Sequence, residues 1–77
     1  MSCFFFQNPN DGYPMVLREI HGRSPIVECE YLGEDQDQPK DGTLKDAKDM
    51  THAVRGLAID DAAKLLKREF GAADILD

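Results

Sequence analysis

Two cysteines and two histidines are the side chains of this 77-residue chain best suited to nucleophilic or metal chemistry: Cys3, Cys29, His21 and His52. Their spacing does not assemble either. Neither cysteine stands in a C-x-x-C pair, and no histidine lies at ligand spacing from one, so the zinc pattern is missing. A nucleophile–base pair needs Ser or Cys close to His, with a third group to orient the imidazole. His21 falls in a turn-forming stretch and His52 on the polar side of a helical pattern, with no carboxylate placed beside them by spacing. No basic residue adjoins Cys3 or Cys29 to lower a thiol pKa. Both read as small, half-buried apolar residues, with a bridge between neighbouring strands as the alternative.

Phosphate and calcium chemistry fare no better. The chain has neither G-x-x-x-x-G-K-[ST] nor G-x-G-x-x-G. Asp35-Gln36-Asp37-Gln38 alternates acids in the manner of a calcium loop, but Lys40 stands where the EF-hand loop needs glycine and Asp46 where it needs glutamate. The expectation is a protein without catalytic residues, metal or cofactor. Size points the same way, because a chain this short hides only about 60% of its unfolded surface and seldom shapes a catalytic cleft.

The carboxylates are informative in another way. Nine Lys and Arg stand against fifteen Asp and Glu, a net charge of −6, which argues against a general nucleic-acid binder, since such a protein normally carries a basic patch. Residues 28–49 hold eight acids against Lys40, Lys45 and Lys48, a net of −5, while the flanks are near neutral. Such a block is either a solvated loop or a surface that faces a basic partner. Glu28 and Glu30 share one strand face about 6.6 Å apart, at a rise of about 3.3 Å per residue. With Glu34, Asp35 and Asp37 they would line an acidic ridge.

The elements that must hold these residues follow from periodicity. Cys3–Gln7 is a short aromatic strand, and Gln7-Asn8-Pro9-Asn10-Asp11-Gly12 is turn chemistry. Residues 14–20 form a second strand, with Pro14 at its start where no ladder donor is needed. His21-Gly22-Arg23-Ser24 turns the chain into residues 25–32, where Val27, Cys29 and Tyr31 alternate with Glu28 and Glu30. Residues 33–42 are polar and acidic, an expected loop. Thr43 stands as the N-cap of a helix that places Leu44, Ala47, Met50, Thr51, Val54 and Ala58 on one face, with Gly56 ending or kinking it. A strand over residues 53–59 is the competing reading there. Residues 59–70 form a second amphipathic helix, with Asp60 and Asp61 in its first turn, Lys67 and Arg68 in its last, and Gly71 as its stop. The predicted fold is therefore one small α+β domain over residues 1–77, a three-stranded antiparallel sheet packed against two C-terminal helices. Its expected core is Phe4 or Phe5, Leu17, Val27, Tyr31, Val54, Ala63, Leu66 and Phe70, with Ile75 and Leu76 pinned back onto it.

Both faces of the first two strands are apolar. Phe4 and Phe6 oppose Cys3 and Phe5, and Met15 and Leu17 oppose Val16 and Ile20. Either a helix caps each side, or one face is an interface; Phe4 and Phe6 are the candidate dimer face. Ala58-Ile59-Asp60-Asp61-Ala62-Ala63-Lys64-Leu65-Leu66 resembles the opening helix of excisionase-type helix-turn-helix domains. That resemblance implies a basic recognition helix after a short turn, and the remaining residues to Asp77 leave no room for one.

With no apolar run of membrane length and no basic residue before the phenylalanines, the expected compartment is the reducing cytoplasm. The function expected is that of a non-enzymatic acidic interaction protein, an inhibitor or regulator binding a basic, nucleic-acid-binding site on a larger protein. Phage anti-defence proteins such as anti-CRISPRs are the analogy of size and charge. It implies neither direct nucleic-acid nor membrane binding. The alternative is a homodimeric accessory subunit that works through an apolar sheet face.

Overall fold

Pro9 and Gly12 set the first turn. Gly12 takes a left-handed φ of 79°, and the Asp11 carboxylate accepts the Tyr13 N–H at 3.0 Å. The turn joins β1 (Cys3–Gln7) to β2 (Pro14–Arg18), paired antiparallel with Phe4 opposite Leu17 and Phe6 opposite Met15. A longer connection through Gly22 leads to β3 (Ile26–Cys29), also antiparallel to β2 with Leu17 opposite Val27. The sheet order is β1-β2-β3, so β2 is central and both other strands are edges. The computed structural model describes residues 3–30 and 38–73. The second and third strands are shorter than periodicity suggests: β2 ends at Arg18 and β3 at Cys29.

Helix α1 (Asp41–Ala53) starts two residues before Thr43, so the expected loop over 33–42 ends at Lys40, whose carbonyl accepts the Leu44 N–H at 3.0 Å. Thr43 is not the N-cap. It is buried in the first turn, and its hydroxyl donates to Asp11 across the structure. Leu44 is 43% exposed, against the expectation that it faces the core; the first-turn residue that packs inward is Thr43. Helix α1 ends at Ala53, earlier than expected: Gly56, at φ 81°, lies in the turn beyond it, Ala58 is exposed as the N-cap residue of the next helix rather than on the face of α1, and no strand forms over 53–59. Helix α2 (Ile59–Phe70) has the predicted bounds. Gly71 closes it in the left-handed region at φ 75°, where the N–H groups of Gly71 and Ala72 both reach the Leu66 carbonyl.

Both helices cover one side of the sheet. Phe6, Met15, Leu17 and Val27 on the inner face meet Ala47, Met50 and Val54 of α1, Ala62 and Leu66 of α2, and Ala72. Phe4, Ala63 and Phe70 are half-buried against this cluster. Tyr31, Ile75 and Leu76 lie outside the described residues. No described helix is long and apolar enough to cross a membrane.

Candidate interaction surface

The register decides which side chains can face a partner. Inner-face positions are Phe4, Phe6, Met15, Leu17, Val27 and Cys29; outer-face positions are Cys3, Phe5, Gln7, Val16, Arg18, Ile26 and Glu28. Phe4 and Phe6 are therefore not a dimer face. Phe6 is fully buried, and Phe4 stacks on it with ring centroids 5.3 Å apart, beneath the Lys67 ammonium at 5.0 Å. The exposed aromatic is Phe5, at 40%. The pattern of the three phenylalanines shows that Phe5 opposes the other two. Which parity faces the helices is set by pairing to Leu17 and Met15, which the pattern alone does not contain.

Glu28 is exposed on the outer face, its Oε1 3.8 Å from Arg18 Nε. Glu30 continues the register beyond β3, its N–H donating to the Pro14 carbonyl at 2.9 Å. Its Oε2 is shielded from solvent without a hydrogen-bond partner among the described residues. The two carboxylates thus lie on one side of the sheet as alternation requires, but in unlike surroundings. Glu34, Asp35 and Asp37 lie outside the described residues.

Two acids outside the expected ridge, Asp11 and Asp46, anchor a connected polar cluster. Asn8 is 1% exposed, and each of its polar groups is engaged. Its N–H donates to the Tyr13 carbonyl (2.8 Å), its carbonyl accepts from Gly12 N–H (2.6 Å), its Oδ1 accepts from Asn10 N–H (3.2 Å), and its Nδ2 donates to Asp46 Oδ2 (2.9 Å). Asn10 Nδ2 reaches the same oxygen at 3.0 Å. Asp11 accepts from Thr43 and Tyr13 alongside. The Thr43 hydroxyl, followed by the Tyr13 N–H, holds Asp11 below the ordinary carboxylate range, and the Asn10 and Asn8 amides do the same for Asp46. The cluster clamps the β1–β2 turn onto the first turns of α1.

Thr51 makes a second link. The Val27 N–H donates to its Oγ1 at 2.9 Å, and the hydroxyl proton is shared between the carbonyls of Ala47 (2.8 Å) and Val27 (3.2 Å). One side chain thus occupies both outward backbone groups of Val27 on the β3 edge. Beside it runs a groove of about 630 Å³, with Cys29, Val27 and Leu44 along it and Lys48, His52 and Arg55 on the helix side. A more polar cleft lies between the 19–25 connection and residues 56–60, bridged by the Gly56 N–H to Ser24 Oγ at 2.9 Å.

The cysteines are unbridged. Cys3 is exposed on β1 and Cys29 half-buried on β3, at opposite edges and on opposite faces. Burial, and next the Asp11 charge, push the Cys29 thiol up. His21 and His52 are exposed on separate elements, and no three His, Cys, Asp or Glu side chains among the described residues converge as a metal site would need. No protein family, curated protein or solved structure matches this chain.

Proposed function

We propose that this chain is a non-catalytic interaction protein whose acidic segment, Glu28 to Asp49, binds a positively charged site on a larger protein. The observation that carries the reading is the charge distribution: −5 within residues 28–49 on a chain of −6. Concentrated like charge weakens a small fold by self-repulsion, and its retention is accounted for by a partner that neutralises it. The exposed position of Glu28 supports the same reading, and its contact with Arg18 tempers that residue's share of it. A basic site that ordinarily receives a phosphate backbone is the chemistry that such a ridge would compete for.

The test compares the wild-type protein with a charge-reversed variant carrying Glu28→Lys, Glu34→Lys, Asp35→Lys and Asp37→Lys. Each is immobilised, and proteins retained from the source lysate are compared at low and high salt. Proteins held by the wild type at low salt, released at high salt and absent from the variant are the expected result. An identical retained set for a variant of unchanged circular dichroism refutes the proposal.

A second reading has its own observation. The outer face of the sheet presents exposed Phe5 on β1, while its neighbour Val16 at the centre of that face is buried, so the apolar surface that supports a homodimeric accessory protein lies along the β1 margin. Salt separates the two readings, because an apolar contact does not weaken as salt rises.

A further inference from the structure

The two edges of the sheet are finished differently. On β3, Thr51 engages the outward N–H and carbonyl of Val27, and α1 lies alongside. On β1 the alternation of antiparallel bonding fixes which groups point outward. The Asn8 N–H bonds to Tyr13, so Phe6 and Phe4 turn their backbone groups toward β2. Cys3, Phe5 and Gln7 turn theirs to the open side, and all three residues are exposed. Edge strands are ordinarily blunted by a charge, a proline, a bulge or a covering element. Cys3–Gln7 contains neither charge nor proline and pairs with β2 without a bulge.

We infer that β1 pairs with β1 of a second copy, antiparallel about a two-fold axis at Phe5, to make one continuous six-stranded sheet. This deepens the dimer reading above and rests on it. Charge selects the occupant. Two chains of −6 repel, and a contact that brings no like charges together opposes this least; β1 is the one strand or helix without a charged residue among those described. Symmetry also fits the strand. An axis at Phe5 pairs Phe5 with its twin and Cys3 with the other copy's Gln7, which satisfies the outward groups of all three residues with about six backbone hydrogen bonds. The Phe5 rings become cross-strand neighbours on the outer face. The β3 edges remain at the two ends, where Thr51 engages Val27 and α1 lies alongside, so they are less open to further pairing than β1.

Five residues a side is far below the roughly 20–30 of a standard interface, so the dimer is weak, with a dissociation constant between about 10 μM and 1 mM. Sedimentation of the full chain across that range should show a reversible monomer–dimer equilibrium. Phe5→Lys places like charges on the axis, and Cys3→Lys with Gln7→Lys opposes them across it; each should raise the dissociation constant at least about tenfold. The double variant alters exposed side chains only, so its melting temperature should stay unchanged and loss of fold cannot account for loss of the dimer. In a Cys29→Ala background, a spin label on Cys3 should lie about 14–15 Å from its twin at the backbone, four residues along and one strand across. A chain that stays monomeric to about 1 mM overturns both the inference and the dimer reading. A dimer that persists in both lysine variants, or a label separation inconsistent with this register, overturns the edge pairing and leaves the dimer reading to the outer face.

Discussion

Replacing Asp46 with alanine removes the acceptor on which two asparagine side chains converge, and the structure sets the size of the consequence. Asn10 is exposed, and water takes over its lost bond at little cost. Asn8 is 1% exposed, with its other polar groups already engaged, so its Nδ2 is left without an acceptor in a site closed to solvent. A buried donor stranded in this way costs about 1–3 kcal/mol. At about 0.05–0.15 kcal/mol per residue the whole fold holds only about 4–12 kcal/mol, so the change is a substantial share of it. For a domain of this size each kcal/mol moves the melting temperature by about 4–8 °C. Asp49→Ala on the same helix is the control, since it removes only the exposed Lys45–Asp49 pair (3.1 Å), worth about 0.3–0.5 kcal/mol. Urea or thermal denaturation of both variants is the assay. The pH dependence is a second readout. Asp11 and Asp46 are depressed in the folded state, so their contribution is complete above the unfolded carboxylate value near 3.8 and is lost as pH falls through the folded values. Asp46→Asn should flatten that acid limb. An Asp46→Ala cost no greater than that of Asp49→Ala would show that the clamp carries no stability and that the Asn8 site admits water.

Leu66→Ala removes a fully buried side chain where α2 meets the sheet and should cost about 2–5 kcal/mol by chemical denaturation. Thr51→Val keeps the shape but strands the Val27 N–H at the β3 edge; a loss of about 1–3 kcal/mol and faster amide exchange at Val27 are expected. Iodoacetamide at pH 8 should alkylate exposed Cys3 well before Cys29, whose thiol is half-buried and shifted up; equal rates by mass spectrometry would contradict that placement.

The fold was legible where local chemistry and tertiary packing agree. Residues 59–70 carry an amphipathic stripe, acids at the start, bases at the end and a glycine stop, and α2 has those bounds. Alternation and turn residues placed the strands, while their order in the sheet came from the pairing itself and the strand ends ran too long because pairing partners, not propensity, terminate them. Helix α1 shows the opposite case. Thr43 has the side chain of a cap, but Asp11, 32 residues away in sequence, takes its hydroxyl into the interior. The helix begins at Asp41 with no side-chain cap, with Thr43 facing inward in its first turn and Leu44 facing outward. The same long-range origin hid the Asn8–Asp46 link, whose partners are 38 residues apart. The aromatic surface was mislaid for a related reason: one register step exchanges Phe5 for Phe4 and Phe6.

Resolving the side chains also changes how the acidic segment must be counted. Of its eight carboxylates, Asp46 has one oxygen, Oδ2, engaged by two asparagines, Asp49 sits against Lys45, and Glu28 sits near Arg18. Glu30 has an oxygen shielded beside the sheet, and among the described acids of the segment Asp41 is exposed outside these contacts. A partner drawn by charge would have to displace Arg18 to use Glu28 in full, and would have to open the clamp to reach Asp46 Oδ2. The proposed ridge therefore weighs most heavily on Glu34, Asp35 and Asp37. Neutralising those three should abolish most of the salt-sensitive binding, while Glu28→Gln alone should weaken it by a lesser factor. The reverse ranking would mean that the partner reads the sheet face rather than the acidic stretch, and would move the interface toward Phe5 and Arg18.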